Sequence, residues 1–251
     1  MPQPIDAALL QQWETARQAT LPRRTAALIA LGWPQADAED CAALPLGEAN
    51  RCLLLLRERA FGRRLVGVSK CTSCGDLLEF AVDSRVLADT ADLPGASNPS
   101  PAQATQARQI EHDGCQVTLR LPTLSDCIAA ADAPDATAAY QVLMDRCVTA
   151  TAADGTPLHT LPPALALQLD TALEAADSGA EWRLELACPS CGQHSEAALD
   201  MAAFYTAELD AHAPRLLAEV HLMASRYGWS EAEILAMSRL RRDHYLRLVL
   251  S

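Results

Sequence analysis

The feature that most constrains this chain is a repeated pentapeptide. Cys71-Thr-Ser-Cys74-Gly75 recurs as Cys188-Pro-Ser-Cys191-Gly192, with 113 residues between Cys74 and Cys188. Each copy follows a run with strand alternation, Arg63 to Val68 in one case and Trp182 to Ala187 in the other, and a strand-like run follows each. That is the layout of a metal knuckle. A tight turn aims two thiolates the same way, and the glycine lets backbone amides face the second sulfur. Two knuckles supply four sulfurs, a complete tetrahedral shell with no open position, so the expected site is structural zinc held by Cys71, Cys74, Cys188 and Cys191. Pairs in a compact zinc ribbon are usually about 15–20 residues apart. The spacing here therefore predicts a ribbon with a domain-sized insertion.

Other uses of the cysteines fit less well. Thiol redox chemistry places Cys-x-x-Cys at a helix N-terminus, which lowers the thiol pKa; strands are predicted after both pairs. An odd total of nine cysteines at irregular spacing argues against a disulfide scaffold. Cys41, Cys52, Cys115, Cys127 and Cys147 read as small buried hydrophobes, and His194 as an exposed residue at the start of a strand. Motifs that would carry catalysis are missing: there is no Gly-x-Ser-x-Gly, His-Glu-x-x-His or glycine-rich phosphate loop. The expectation is a protein that is not an enzyme and takes no small-molecule substrate.

Charge sharpens the choice of partners. Residues 71–200 hold five Lys/Arg against nineteen Asp/Glu, a net of −14, while the flanking segments are nearly balanced. Such a surface repels a phosphate backbone, so nucleic acid is disfavoured. The first residues, MPQPIDAALLQQWETARQ, lack the basic-then-apolar order of a signal peptide, and Cys52-Leu-Leu-Leu-Leu56 is too short to span a bilayer. The expectation is a cytoplasmic chain without a membrane partner.

The predicted fold class is α+β, and the organisation follows the periodicities. Residues 1–62 read as a helical segment that closes at a Gly62 cap. Residues 63–87 with 181–200 form the zinc-ribbon element. Residues 88–108, rich in Ala, Pro, Ser and Thr, read as a flexible loop. Residues 109–180 form an α/β insertion, a hairpin turning at His112-Asp113-Gly114 followed by mostly helical chain over 123–177. In residues 201–251, a long helix runs from an Asp200 cap to about Tyr227. Ser230 and Glu233 match a capping box, and Ser238 caps a last helix. Leu216, Val220, Met223 and Tyr227 mark an amphipathic face, and Arg239, Arg241, Arg242, His244 and Arg247 cluster apart from it. Two readings of this tail stand: a core-packed hairpin with a solvated basic face, or a protein-binding surface, since aromatics and Arg are enriched at interface hot spots.

These segments together resemble one family. LPLGEANRCLLLLRERAFGRRL (44–65) followed by CTSCGDLLEF, the second CPxCG, and LLAEVHLMASRYGWSEAEILAMSRLRRDHYLRLV (216–249) are similar to the baseplate hub assembly proteins of contractile-tailed phages and extracellular contractile injection systems. The likeness covers about 44–83, 117–149 and 181–249. It is clearest in the tail, at Glu219, His221, Tyr227-Gly228-Trp229, Glu233-Ile234-Leu235, Arg241-Arg242 and Tyr245. The first knuckle carries Thr72 where the family commonly has Pro. What the resemblance implies is a role in building or joining a baseplate through contacts with hub, spike or baseplate proteins. The chain would then act in the cytoplasm during assembly or stay in the finished particle. Trp229, Arg241, Arg242 and Tyr245 are the candidate partner-binding residues. The rival from another class is a zinc-ribbon regulator that contacts nucleic acid, which the −14 section opposes and the Arg-rich last helix favours.

Overall fold

The computed structural model describes residues 5–17, 20–90, 107–112, 114–158 and 161–250. The chain is α+β, with small sheets among helices. It divides into two compact units: residues 20–202, and residues 1–19 with 203–251. The helical segment read as 1–62 is thus shared between units, since its first helix groups with the tail.

In the larger unit, α2 (Leu21–Gly32), α3 (Ala38–Ala42) and α4 (Leu46–Phe61) come first. Within α4, Ala49, Cys52, Leu53 and Leu56 are buried at helical spacing, with Leu28 and Ile29 of α2 among the most buried residues. The short α3 was not expected. It forms because the Asp37 carboxylate accepts from the Asp40 amide at 2.7 Å and so caps the turn.

Two hairpins frame the unit. β1 (Arg64–Lys70) pairs antiparallel with β2 (Leu77–Asp83), and β6 (Trp182–Ala187) pairs with β7 (His194–Leu199), each as a two-stranded sheet. Between them in sequence, α5 (Ser84–Thr90) takes up the start of the segment read as a loop over 88–108; residues 91–106 lie outside the described residues. β3 (Arg108–His112) and β4 (Cys115–Leu119) form the expected hairpin, with Gly114 at φ +77° in the turn that the Asp-Gly pair predicts; Asp113 itself lies outside the described residues.

After α6 (Leu124–Ala131) and α7 (Ala136–Cys147), residues 148–151 depart from the helical expectation. They are β5 (Val148–Thr151), the third strand beside β4. Val148 and two threonines suit a strand, but four residues carry no period of their own. α8 (Pro163–Ala176) covers this sheet, setting Leu165 and Leu169 against Val117, Leu119 and Ala150. At the start of α6, Asp126 is fully buried. It accepts from Arg120 at 2.6 and 2.8 Å, from Arg146 at 2.7 Å and from the Thr123 amide and hydroxyl at 2.9 Å. Burial alone would push its pKa up; the guanidinium groups and Thr123 outweigh burial and hold it well below the usual carboxylate range.

The smaller unit is helical. α1 (Ile5–Arg17), α9 (Met201–Tyr227), α10 (Glu231–Leu235) and α11 (Arg239–Leu250) supply it, with α9 starting two residues earlier in the chain. Ala213, Leu216, Val220 and Met223 of α9 pack with Leu10 of α1 and Ile234 and Leu235 of α10. The capping box is present as expected: the Glu233 amide donates to the Ser230 hydroxyl and the Glu233 carboxylate accepts from the Ser230 amide at 2.8 Å. The Arg241 amide donates to the Ser238 hydroxyl at 3.3 Å, which caps α11.

Candidate metal centre

The knuckles are the turns of the two framing hairpins. Register runs out to Lys70 opposite Leu77 and to Ala187 opposite His194, leaving six residues in each turn. Both turns close by the same bonds. Cys71 N–H donates to the Asp76 carbonyl at 2.8 Å and Gly75 N–H to the Cys71 carbonyl at 3.0 Å. In the second turn Cys188 N–H donates to the Gln193 carbonyl and Gly192 N–H to the Cys188 carbonyl, each at 2.9 Å. Gly75 sits at φ +79° and Gly192 at φ +71°, a region L side chains rarely adopt, which is why both motifs end in glycine.

The turns bring all four sulfurs within 4.8 Å of one another. Across the knuckles, Cys71 Sγ lies 3.7 Å from Cys191 Sγ and Cys74 Sγ 3.6 Å from Cys188 Sγ. A tetrahedron of thiolates at about 2.3 Å from a central ion has edges of about 3.8 Å. These two distances match such an edge, and they are far beyond a disulfide bond of about 2.05 Å. Cys71 and Cys188 are buried and Cys74 and Cys191 exposed, so the centre has an inner and an outer side.

The turn amides prepare the sulfurs for charge. Amides of Cys74 and Ser73 face the Cys71 sulfur and bring its pKa down to about 6. For Cys74, the Asp76 amide acts in the same direction, but burial and the neighbouring sulfurs of Cys188, Cys71 and Cys191 win and push it up to about 12. Four sulfurs at this spacing resist sharing several negative charges unless a cation sits among them. A divalent ion supplies that charge, and binding it releases the remaining protons. The four cysteines can thus hold one metal ion.

Little apolar packing accompanies the centre: Leu78 and the half-buried Leu186 join Cys71 and Cys188 in a small cluster. Placement of the hairpins comes instead from α4, a role not read from the sequence. At its C-terminal end, the buried Arg57 donates to the carbonyls of Gly62 and Arg64, where β1 begins, and Ser84, the first residue after β2, donates to Glu58. At its N-terminal end, Gly47 N–H donates to Asp177 Oδ2 at 3.0 Å and the Asn50 amide donates to the carbonyls of Gly179 and Ala180, each at 3.0 Å. Those residues lead into β6. A Cβ on Gly47 would lie 1.9 Å from Asp177 Oδ1 and 3.0 Å from the Gly179 carbonyl carbon, so only glycine permits this approach.

Of the four candidate tail residues, Arg242 is placed differently from expectation. Arg242, read as part of an exposed basic face, is buried at 2% exposure, paired with Asp6 of α1 and with Glu219 of α9 at 3.6 Å. A polar run in a helix reads as solvated unless its acidic partners are known, and here they come from two distant segments. Trp229 and Tyr245 are half-buried against the unit's own core, their ring centroids 4.8 Å apart, with Tyr227 stacked on Trp229 at 4.5 Å. Arg241 is exposed, its guanidinium 5.8 Å from the Tyr245 ring centroid. Of the remaining cysteines, Cys41, Cys52 and Cys147 are buried while Cys115 and Cys127 are only partly so. His194 opens β7 in solvent, as expected.

No family model, curated protein or solved structure matches the chain. Among the described residues, no helix is long and apolar enough to cross a membrane.

Proposed function

We propose that Cys71, Cys74, Cys188 and Cys191 bind one structural zinc ion, and that the chain is a non-enzymatic assembly protein of a contractile injection particle. The observation that carries the metal half is that two cysteine pairs, 113 residues apart in sequence, bring four sulfurs within 4.8 Å, with both cross-knuckle distances near the edge length of a tetrahedral thiolate shell. Thiolates select soft or borderline ions, and a closed four-sulfur shell suits zinc held for structure. Metal analysis of freshly purified, reduced protein tests it: one zinc per chain is expected, and a stoichiometric amount of iron or none of either metal would sink it.

The assembly half is supported by the resemblance of residues 44–83, 117–149 and 181–249 to the baseplate hub assembly proteins. In this reading the zinc-held hairpins and the tail present surfaces to hub, spike or baseplate proteins, in the cytoplasm or within the particle. The rival nucleic-acid reading loses one of its residues, because Arg242 is turned inward onto carboxylates. The test is genetic. Deleting the gene in a strain that makes such particles should abolish assembled sheath and tube in electron micrographs, and the intact gene should restore them. Normal particles from the deletion strain would remove the assembly reading.

A further inference from the structure

A second feature lies beside the metal centre and is not a metal site. The two framing hairpins are separate sheets, so among the described residues each of β2 and β6 has one edge without a strand partner. Hydrogen-bonded pairs in an antiparallel ladder alternate. In the first hairpin the Ser84 amide bonds the Arg63 carbonyl and the Cys71 amide bonds the Asp76 carbonyl. Counting inward from either end, Leu78, Phe80 and Val82 turn their backbone groups toward β1, so Leu77, Glu79 and Ala81 turn theirs to the free edge. In the second hairpin the Cys188–Gln193 bond sets the same count, and Glu185 and Ala187 face outward.

These two free edges line one cleft of about 540 Å³, bounded by Leu77–Ala81 on one side and by Glu185–Ala187 with Pro189 on the other. Five residues of β2 run about 17 Å in extended form, enough to lie along a short peptide. The charged residues lining the cleft are Glu79 and Glu185, and both are acids. On the opposite face of the strands the half-buried Phe80 and Leu186 offer apolar side chains, while Leu78 is already packed with Cys71 and Cys188.

We propose that this cleft takes an extended segment of a partner protein as an added strand, with apolar and basic residues in alternation. The backbone of the segment bonds the outward groups of Glu79 and Ala81 on one side and of Glu185 and Ala187 on the other, which joins the hairpins into one sheet. Its basic side chains meet Glu79 and Glu185, and its apolar ones lie over Phe80 and Leu186. The site rests on the strand edges alone and holds whatever complex the chain serves.

The probe is a capped seven-residue peptide alternating valine and arginine, labelled for fluorescence anisotropy and titrated into the full, metal-loaded chain. Saturable binding is expected, with slowed amide exchange at Glu79, Ala81, Glu185 and Ala187. The same peptide N-methylated at every second amide keeps charge and side chains but loses one edge of donors, and should bind at least about tenfold more weakly. Ala81→Pro removes an outward N–H without touching the ladder to β1 and should weaken binding similarly; the N-methylated peptide gives the same answer should that variant not fold. Equal binding of the two peptides would reduce the effect to charge alone and overturn the proposal, as would no binding. Exchange protection of those four residues in the free protein, with sedimentation as a dimer, would assign the edge to a second copy and overturn it too.

Discussion

Removing the metal should loosen the larger unit as a whole rather than one loop. The centre joins turns that lie 113 residues apart, and the apolar cluster beside it contains Leu78 and Leu186 and little else. Without the ion, α4 still holds the far ends of the hairpins, but among the described residues only this small cluster holds the two turns against each other. Ligand linkage gives the size: an ion held at a free concentration about a thousandfold above its Kd stabilises the folded state by about 4 kcal/mol. A folding unit of roughly 150–250 residues shifts its Tm by about 2–4 °C per kcal/mol. Chelation under reducing conditions should therefore lower the Tm by about 8–16 °C. Cys191→Ser should do much of the same, because three thiolates leave the shell open. Cys115→Ser, which changes a partly buried thiol outside the centre, should cost far less. The assay is thermal unfolding by calorimetry or far-ultraviolet circular dichroism, with metal content measured on the same samples and metal–sulfur distances of about 2.3 Å from X-ray absorption. An unchanged Tm after complete metal removal, or equal effects of Cys191→Ser and Cys115→Ser, would refute the reasoning.

Three further outcomes follow from the same geometry. Gly47→Ala should destabilise by about 1–3 kcal/mol, measured by denaturant unfolding, because the new Cβ meets the Gly179 backbone, which cannot swing aside as Asp177 can. Asp126→Asn should cost about 1–3 kcal/mol, since it weakens charge-assisted hydrogen bonds to two guanidinium groups that water still reaches. It should also flatten the acid limb of the stability profile. Asp126 has a depressed folded pKa, so its contribution is fully present above the unfolded value of about 3.9 and fades as pH falls below it. In the smaller unit, Arg242→Glu should unfold the helical packing by setting a third acid beside Asp6 and Glu219, whereas Arg241→Glu should stay within about 0.5 kcal/mol of the parent. Equal stability of the two variants would show that Arg242 is not the internal residue its burial indicates.

How much of this could be read from the sequence depended on how local the signal was. The cysteine quartet was legible because each motif fixes five consecutive residues and needs nothing from elsewhere to be recognised. The α10 cap was legible for the same reason, being two side chains three positions apart. β5 was not, since Val148–Thr151 is a strand only because β4 lies beside it. Arg242 was misread because a helix of Arg, Asp and His looks solvated until Asp6 and Glu219 are brought to it. Asp177 gave no sign either. It ends α8 like many helix-terminal acids, and its partner is a backbone amide 130 residues away.

That last contact explains how two knuckles so far apart in the chain find one another. A metal can close the site only after the turns have come close, because bringing together ends separated by more than a hundred residues carries an entropy cost that no pair of thiolates offsets in advance. Helix α4 does the earlier part. Its C-terminal end holds the start of β1 and the end of β2 through Arg57 and Glu58, and its N-terminal end holds the lead into β6 through Gly47 and Asn50. One helix of sixteen residues, about 24 Å long, therefore fixes where both hairpins leave it. The insertion between them can then vary in length without moving the centre, since its ends are held by α4 and not by its own path. On this view the segment LPLGEANRCLLLLRERAF and the two Cys-x-x-Cys-Gly motifs are parts of one device. Loss of the Gly47 contact should weaken metal retention even though Gly47 touches no sulfur. Competition with a chromophoric chelator measures this. Gly47→Ala protein that still folds should release its metal faster than the parent, and release at the parental rate would separate the helix from the site.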